Sequence, residues 1–72
     1  MSYRSARQKA GKTVTETARY MAVSMVSVWQ WETGVYNPSA DKLVKLAAYY
    51  GCTVDELLRD NPNSKERNAN AE

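Results

Sequence analysis

Apolar positions recur with helical spacing in five short blocks up to Leu58, and from Asp60 onward the pattern stops. In the first block, residues 2–10 (SYRSARQKA), Tyr3, Ala6 and Ala10 share a face, with Ser2 as a capping residue and Gly11 as a stop. The stretch Thr13 to Gly34, TVTETARYMAVSMVSVWQWETG, predicts two helices and a tight turn. Thr13 and Glu16 have the spacing of a capping box, and Val14, Ala18 and Met21 fall at i, i+4 and i+7. Ala22-Val23 breaks that periodicity. Ser24 can then cap a second helix in which Val28, Trp31 and Met25 share the inward face, Trp29 faces outward, and Gly34 ends the helix. Tyr20 is likewise expected to face outward.

After the turn at Asn37-Pro38, Ser39 caps a fourth helix over about Ala40 to Tyr50. Its predicted apolar stripe is Ala40, Leu43, Val44, Leu46, Ala47 and Tyr50, with Asp41, Lys42 and Lys45 outside and Gly51 as the stop. Thr53 and Glu56 form a second box before a short last helix carrying Val54, Leu57 and Leu58. The expectation is an all-α, five-helix domain over residues 1–59. A polar tail over 60–72 has no apolar residue larger than alanine and is expected to be disordered.

Composition narrows the chemistry. The chain has 72 residues, enough for one small domain with a modest core. One cysteine and no histidine remove any basis for a disulfide framework or a zinc site, and suit a reducing, cytoplasmic setting. Cys52 reads as a small core residue. No apolar run approaches membrane-span length, and no cofactor or small-molecule ligand is implied. With no histidine, no nucleophile beside a base, no glycine-rich phosphate loop and no suitably spaced carboxylate pair, an enzyme is not expected. The net charge of +2 says little, but its placement is uneven. Arg4, Arg7, Lys9, Lys12 and Arg19 fall in the first nineteen residues against the single acid Glu16, which suggests a side turned to a polyanion or a solvated helix face. Arg7 lies close to the apolar face of its helix, where a guanidinium requires a carboxylate.

Two helices joined by three or four residues, the second with more outward side chains than packing needs, form a helix-turn-helix pattern. The joint spacing of Arg7, Gly11, Thr13-x-x-Glu16-x-Ala18, Val23-Ser24, Val28, Trp31-Glu32-x-Gly34, Asn37-Pro38-Ser39, Leu43, Leu46-Ala47, Gly51 and Asp55-Glu56-Leu57-Leu58 resembles the Cro/phage-repressor (XRE-type) family, over roughly residues 3–59. The resemblance implies a lambda-repressor-like fold and a recognition helix, Met25 to Thr33, in the major groove of duplex DNA. It implies base contacts from Met25, Val26 and Gln30, with Ser27 and Trp29 flanking. It implies phosphate contacts from Thr13, Val14, Thr15 and Ser24 at helix N-termini, and from Tyr36 and Asn37 in the loop. It also implies an internal ion pair between Arg7 and Glu32.

The departures from the family bear on function. Valine stands at Val14, where a phosphate-holding glutamine is usual. Lys12 and Thr17 replace apolar residues, which predicts looser packing of the second helix, and Ala22 replaces a frequent glycine. The recognition helix has no basic residue, and Gln30 is its one amide. Readout of an A·T-rich site by Gln30, with Met25 and Val26 on thymine methyl groups, is one reading. In the other, Met25, Val26, Trp29 and Tyr20 form an apolar patch for a protein partner, making a dimerisation or adaptor module. The first is preferred: a transcriptional regulator acting by operator occupancy, expected to bind a pseudo-palindrome as a homodimer, with Val54, Leu57 and Leu58 either at the dimer surface or satisfied in the monomer core.

Overall fold

The structure is a computed structural model and describes residues 1–59 and Asn61. Within them five helices follow in order: α1 (Tyr3–Lys9), α2 (Val14–Met21), α3 (Met25–Thr33), α4 (Ala40–Tyr50) and α5 (Val54–Leu58), with no strand among the described residues. Every helix begins on a hydroxyl. Ser2, Thr13, Ser24, Ser39 and Thr53 each accept a hydrogen bond from the backbone N–H three residues on, satisfying a donor the helix itself leaves unpaired. At Thr13–Glu16 and Thr53–Glu56 the glutamate returns a bond to the cap N–H, so the boxes are reciprocal.

The first four helices end in the same turn. In each, a residue with positive φ follows the helix, and the next N–H reaches back to the carbonyl five residues before it. Glycine supplies the left-handed residue at Gly11, Gly34 and Gly51. Between α2 and α3 it is Ala22, with φ 59° and ψ 43°, and Val23 donates to the Ala18 carbonyl at 3.0 Å. This turn sets the angle between the two central helices, and it is made by a residue whose Cβ disfavours it.

The core takes Tyr3 and Ala6 from α1, Ala18 and Met21 from α2, and Val28 and Trp31 from α3. Leu43, Leu46, Ala47 and Tyr50 come from α4 and Leu57 from α5. Helix α2 lies most extensively on α3; α1 braces α3 and α4 braces α2, with α5 behind them on α1 and α4. Cys52 is half-buried against this core, and burial pushes its thiol up from the ordinary value.

Several expectations need correction. Ala40 and Val44 are exposed, not part of the buried stripe of α4, because the core takes only the narrow arc of Leu43, Leu46, Ala47 and Tyr50. Thr17 does not loosen α2. It is fully buried, and its hydroxyl donates to the Thr13 carbonyl at 2.9 Å, so the polar atom is satisfied within the helix while the methyl group packs. Leu57 is completely buried and Val54 and Leu58 pack against the core, so most of the apolar side of α5 is spent inside the domain.

Asn61, grouped in sequence with the polar tail, is buried. Its Oδ1 accepts from the Tyr3 N–H at 2.7 Å and its Nδ2 donates to the Leu57 carbonyl at 2.6 Å, tying the start of α1 to the end of α5. The rest of the expected disordered tail, residue 60 and residues 62–72, lies outside the described residues.

Candidate nucleic-acid interface

The sequence of α3, MVSVWQWET, divides around the helix. Val28 and Trp31 are buried, and Glu32 turns inward to Arg7. Met25, Val26 and Trp29 lie on the other side, 39%, 52% and 49% exposed. Met25 is therefore a rim residue and not an inner one, and its sulfur accepts a contact from the Thr15 hydroxyl at 3.7 Å. Gln30 is half-buried at the edge of the outward face, and its side-chain amide makes no hydrogen bond to a described residue. Thr33, unassigned from sequence, belongs to the same face by helical spacing, but its hydroxyl donates to the Trp29 carbonyl at 2.8 Å. Ser27 is likewise tied to the Ser24 cap, hydroxyl to hydroxyl at 3.2 Å. The polar groups that α3 offers outward thus reduce largely to the Gln30 amide and the indole N–H of Trp29.

Two helix N-termini flank this face. The Thr13–Glu16 box uses the N–H groups of Thr13 and Glu16 and leaves those of Val14 and Thr15 for an outside acceptor. The Glu16 carboxyl is held below its ordinary value of 4.5, chiefly by hydrogen bonds from Thr13, so a negative charge already sits at this end of α2. Helix α3 differs. Ser24 caps it through the Ser27 N–H, its first turn holds no acid, and the N–H groups of Met25 and Val26 remain available. An anion meets the less hindered field at α3.

Beyond Gly34, Val35 and Tyr36 are each 61% exposed and Asn37 is exposed, with the Val35 and Tyr36 N–H groups both bonded to the Gln30 carbonyl. The exposure of Val35 was not legible in the sequence, because an apolar residue just after such a stop ordinarily packs back on its helix.

Behind the face, Arg7 joins α1 to α3. Its Nε donates to Glu32 Oε2 at 2.6 Å, Nη2 to Oε1 at 3.3 Å and Nη1 to the Lys12 carbonyl at 3.0 Å. The two side chains are only 12% and 7% exposed. The hydrogen bond to Glu32 raises the Arg7 guanidinium above its ordinary value despite burial. Tyr50 lies close by. Burial pushes its hydroxyl up to about 12, against a hydrogen bond with Thr17, so it stays neutral beside the pair.

The basic residues of the first third do not make one face. Arg7 is spent internally, and the Lys12 ammonium sits 4.9 Å from the centre of the Tyr49 ring. Tyr49 stacks on Tyr20 with centroids 4.1 Å apart and planes 13° from parallel, and Lys45 lies 5.2 Å from the Tyr20 ring. Tyr20 is outward, at 47% exposure, but this column belongs to the α2–α4 side. By helical spacing it lies well around α2 from Thr15, so Tyr20 does not join the patch of Met25, Val26 and Trp29.

A capped helix pair, a tight left-handed turn and a second helix with an exposed face define a helix-turn-helix domain. A family model described as Helix-turn-helix matches residues 4–57. The chain belongs to this family, the Cro/C1-type (XRE) helix-turn-helix proteins, a family of DNA-binding regulatory domains and not of enzymes. No curated protein and no solved structure gives a significant match. No helix among the described residues is long and apolar enough to cross a membrane.

Proposed function

We propose that the chain is a sequence-specific double-stranded DNA-binding transcriptional regulator with α3 in the major groove. The observation that carries this reading is the outward face of α3, Met25, Val26, Trp29 and Gln30, set beside an N-terminus whose N–H groups are available to a phosphate. Ser24 and the N–H groups of Met25 and Val26 form the main phosphate anchor. Thr13, Val14 and Thr15 contribute less because of Glu16, and Tyr36 and Asn37 reach the backbone from the loop. Gln30 reads adenine through its amide, and Met25, Val26 and Trp29 read apolar groups of the bases, with Ser27 holding the helix start. Arg7 and Glu32 are structural, fixing α3 on α1.

One such module makes few base contacts, so the binding form is a homodimer on a pseudo-palindrome with half-sites about 34–36 Å apart. With the apolar side of α5 largely spent, the dimer surface must draw on residues outside the apolar set Val54, Leu57 and Leu58. The exposure of Met25, Val26 and Trp29 also favours a second reading, a protein interface, since aromatic and methionine side chains are enriched at interface cores.

Fluorescence anisotropy on labelled duplexes separates the two readings. DNA from upstream of the gene is expected to bind more tightly than a scrambled duplex, with affinity falling as salt rises. A folded protein that binds neither duplex at low salt contradicts the proposal. Gln30→Ala is expected to lose about 1–3 kcal/mol of specific binding and to relax preference at one base pair. Unchanged base preference removes Gln30 as a reader.

A further inference from the structure

We infer that the outward face of α3 reads C5-methyl groups in the major groove, so that it favours thymine over uracil and 5-methylcytosine over unmodified cytosine. The inference rests on the DNA-binding reading above. In the major groove thymine presents O4 and a methyl group, whereas cytosine presents an amino donor and no methyl. 5-Methylcytosine carries the cytosine hydrogen-bonding edge with the thymine methyl.

A helix that separates bases by hydrogen bonds needs outward side chains with paired donors and acceptors, and α3 has few. The Ser27 hydroxyl is held by Ser24 at 3.2 Å and the Thr33 hydroxyl by the Trp29 carbonyl at 2.8 Å. The Met25 sulfur lies against the Thr15 hydroxyl at 3.7 Å, which steadies that side chain at the start of the face. Among the outward side chains only the Gln30 amide offers a paired donor and acceptor, beside the single indole N–H of Trp29. Met25, Val26 and Trp29, each well exposed, offer carbon surface instead. What carbon surface distinguishes in the groove is the presence or absence of a methyl group. Covering one methyl-sized group corresponds to about a fourfold gain in affinity. No arginine or lysine on α3 draws the helix toward guanine.

The test starts from selection of binding sites for the full chain from a randomised duplex pool, followed by anisotropy on the selected site. Replacing each thymine by uracil removes only a methyl group and is expected to weaken binding about fourfold at each contacted position. Cytosine placed at such a position weakens it further, and 5-methylcytosine in place of that cytosine restores about fourfold. Trp29→Ala and Val26→Ala are expected to abolish the thymine–uracil difference. Gln30→Ala is expected to weaken binding to both forms and keep the difference. A selected site indifferent to uracil at every thymine overturns the methyl reading and leaves the regulator intact. A folded protein that enriches no sequence overturns the DNA reading itself, and the face is then a protein interface.

Discussion

At the scale of single residues, Ala22 and the Arg7–Glu32 pair decide how well α3 is held. Ala22 occupies the left-handed region that glycine fills in the three equivalent turns. A Cβ there costs about 1–2 kcal/mol, of which glycine gives back part through the greater freedom of its unfolded chain. Ala22→Gly is therefore expected to stabilise the domain by somewhat under about 1 kcal/mol, a rise of roughly 4 °C in melting temperature. Circular dichroism on heating checks it, and an unchanged or lower Tm would show that the turn carries no such strain.

Glu32→Ala has the opposite sign. It leaves the Arg7 charge buried without its carboxylate and is expected to cost roughly 3–5 kcal/mol, a large share of what a small domain has. Replacing both members by apolar residues, Arg7→Met with Glu32→Leu, should cost less than the single change. A double variant as unstable as Glu32→Ala in urea unfolding would mean that the loss is not one of unpaired charge.

At the scale of elements, helix starts and stops were the most legible part of the chain. Ser or Thr before each helix and Gly11, Gly34 and Gly51 after three of them are local signals, acting through backbone groups a few residues away. The two glutamate boxes carry a pH signature. Glu16 and Glu56 are both held below the ordinary carboxyl value by hydrogen bonds from their caps, so their contribution is present above that value and lost as pH falls through the lowered one. Melting temperature should therefore drop as pH falls from about 6 to about 3, and Glu16→Gln with Glu56→Gln should flatten that drop by keeping the bond without the titration. An equally steep drop in the double variant would place the acid sensitivity elsewhere.

What stayed illegible depends on partners distant in sequence. Tyr20 reads as an outward ring beside Met25, Val26 and Trp29 until Tyr49 from α4 stacks on it, and Asn61 reads as tail until Tyr3, 58 residues earlier, bonds to it. Val44 and Ala40 satisfy helical periodicity yet face away from the core, because periodicity gives a face but not its width.

At the scale of the whole molecule, the fold buries one side of α3 and presents the other. Helix α2 packs on α3 most extensively and α1 holds it through Arg7, while α4 and α5 lie behind them, and the outer face is left largely to solvent. That outward set was readable in advance from helical spacing and the resemblance for Val26, Trp29 and Gln30. The internal ties of Ser27 and Thr33 were not, because a hydroxyl can turn either to a neighbouring carbonyl or to solvent without changing the sequence pattern.

The central claim is that this face and the N-terminus beside it meet duplex DNA. Amide NMR of the labelled chain titrated with the selected duplex tests it most directly. Shifts concentrated at Ser24 to Gln30, with smaller ones at Thr13 to Thr15 and at Tyr36 and Asn37, are the predicted result. Shifts centred instead on Tyr20, Lys45 and Tyr49, with α3 unmoved, would contradict it.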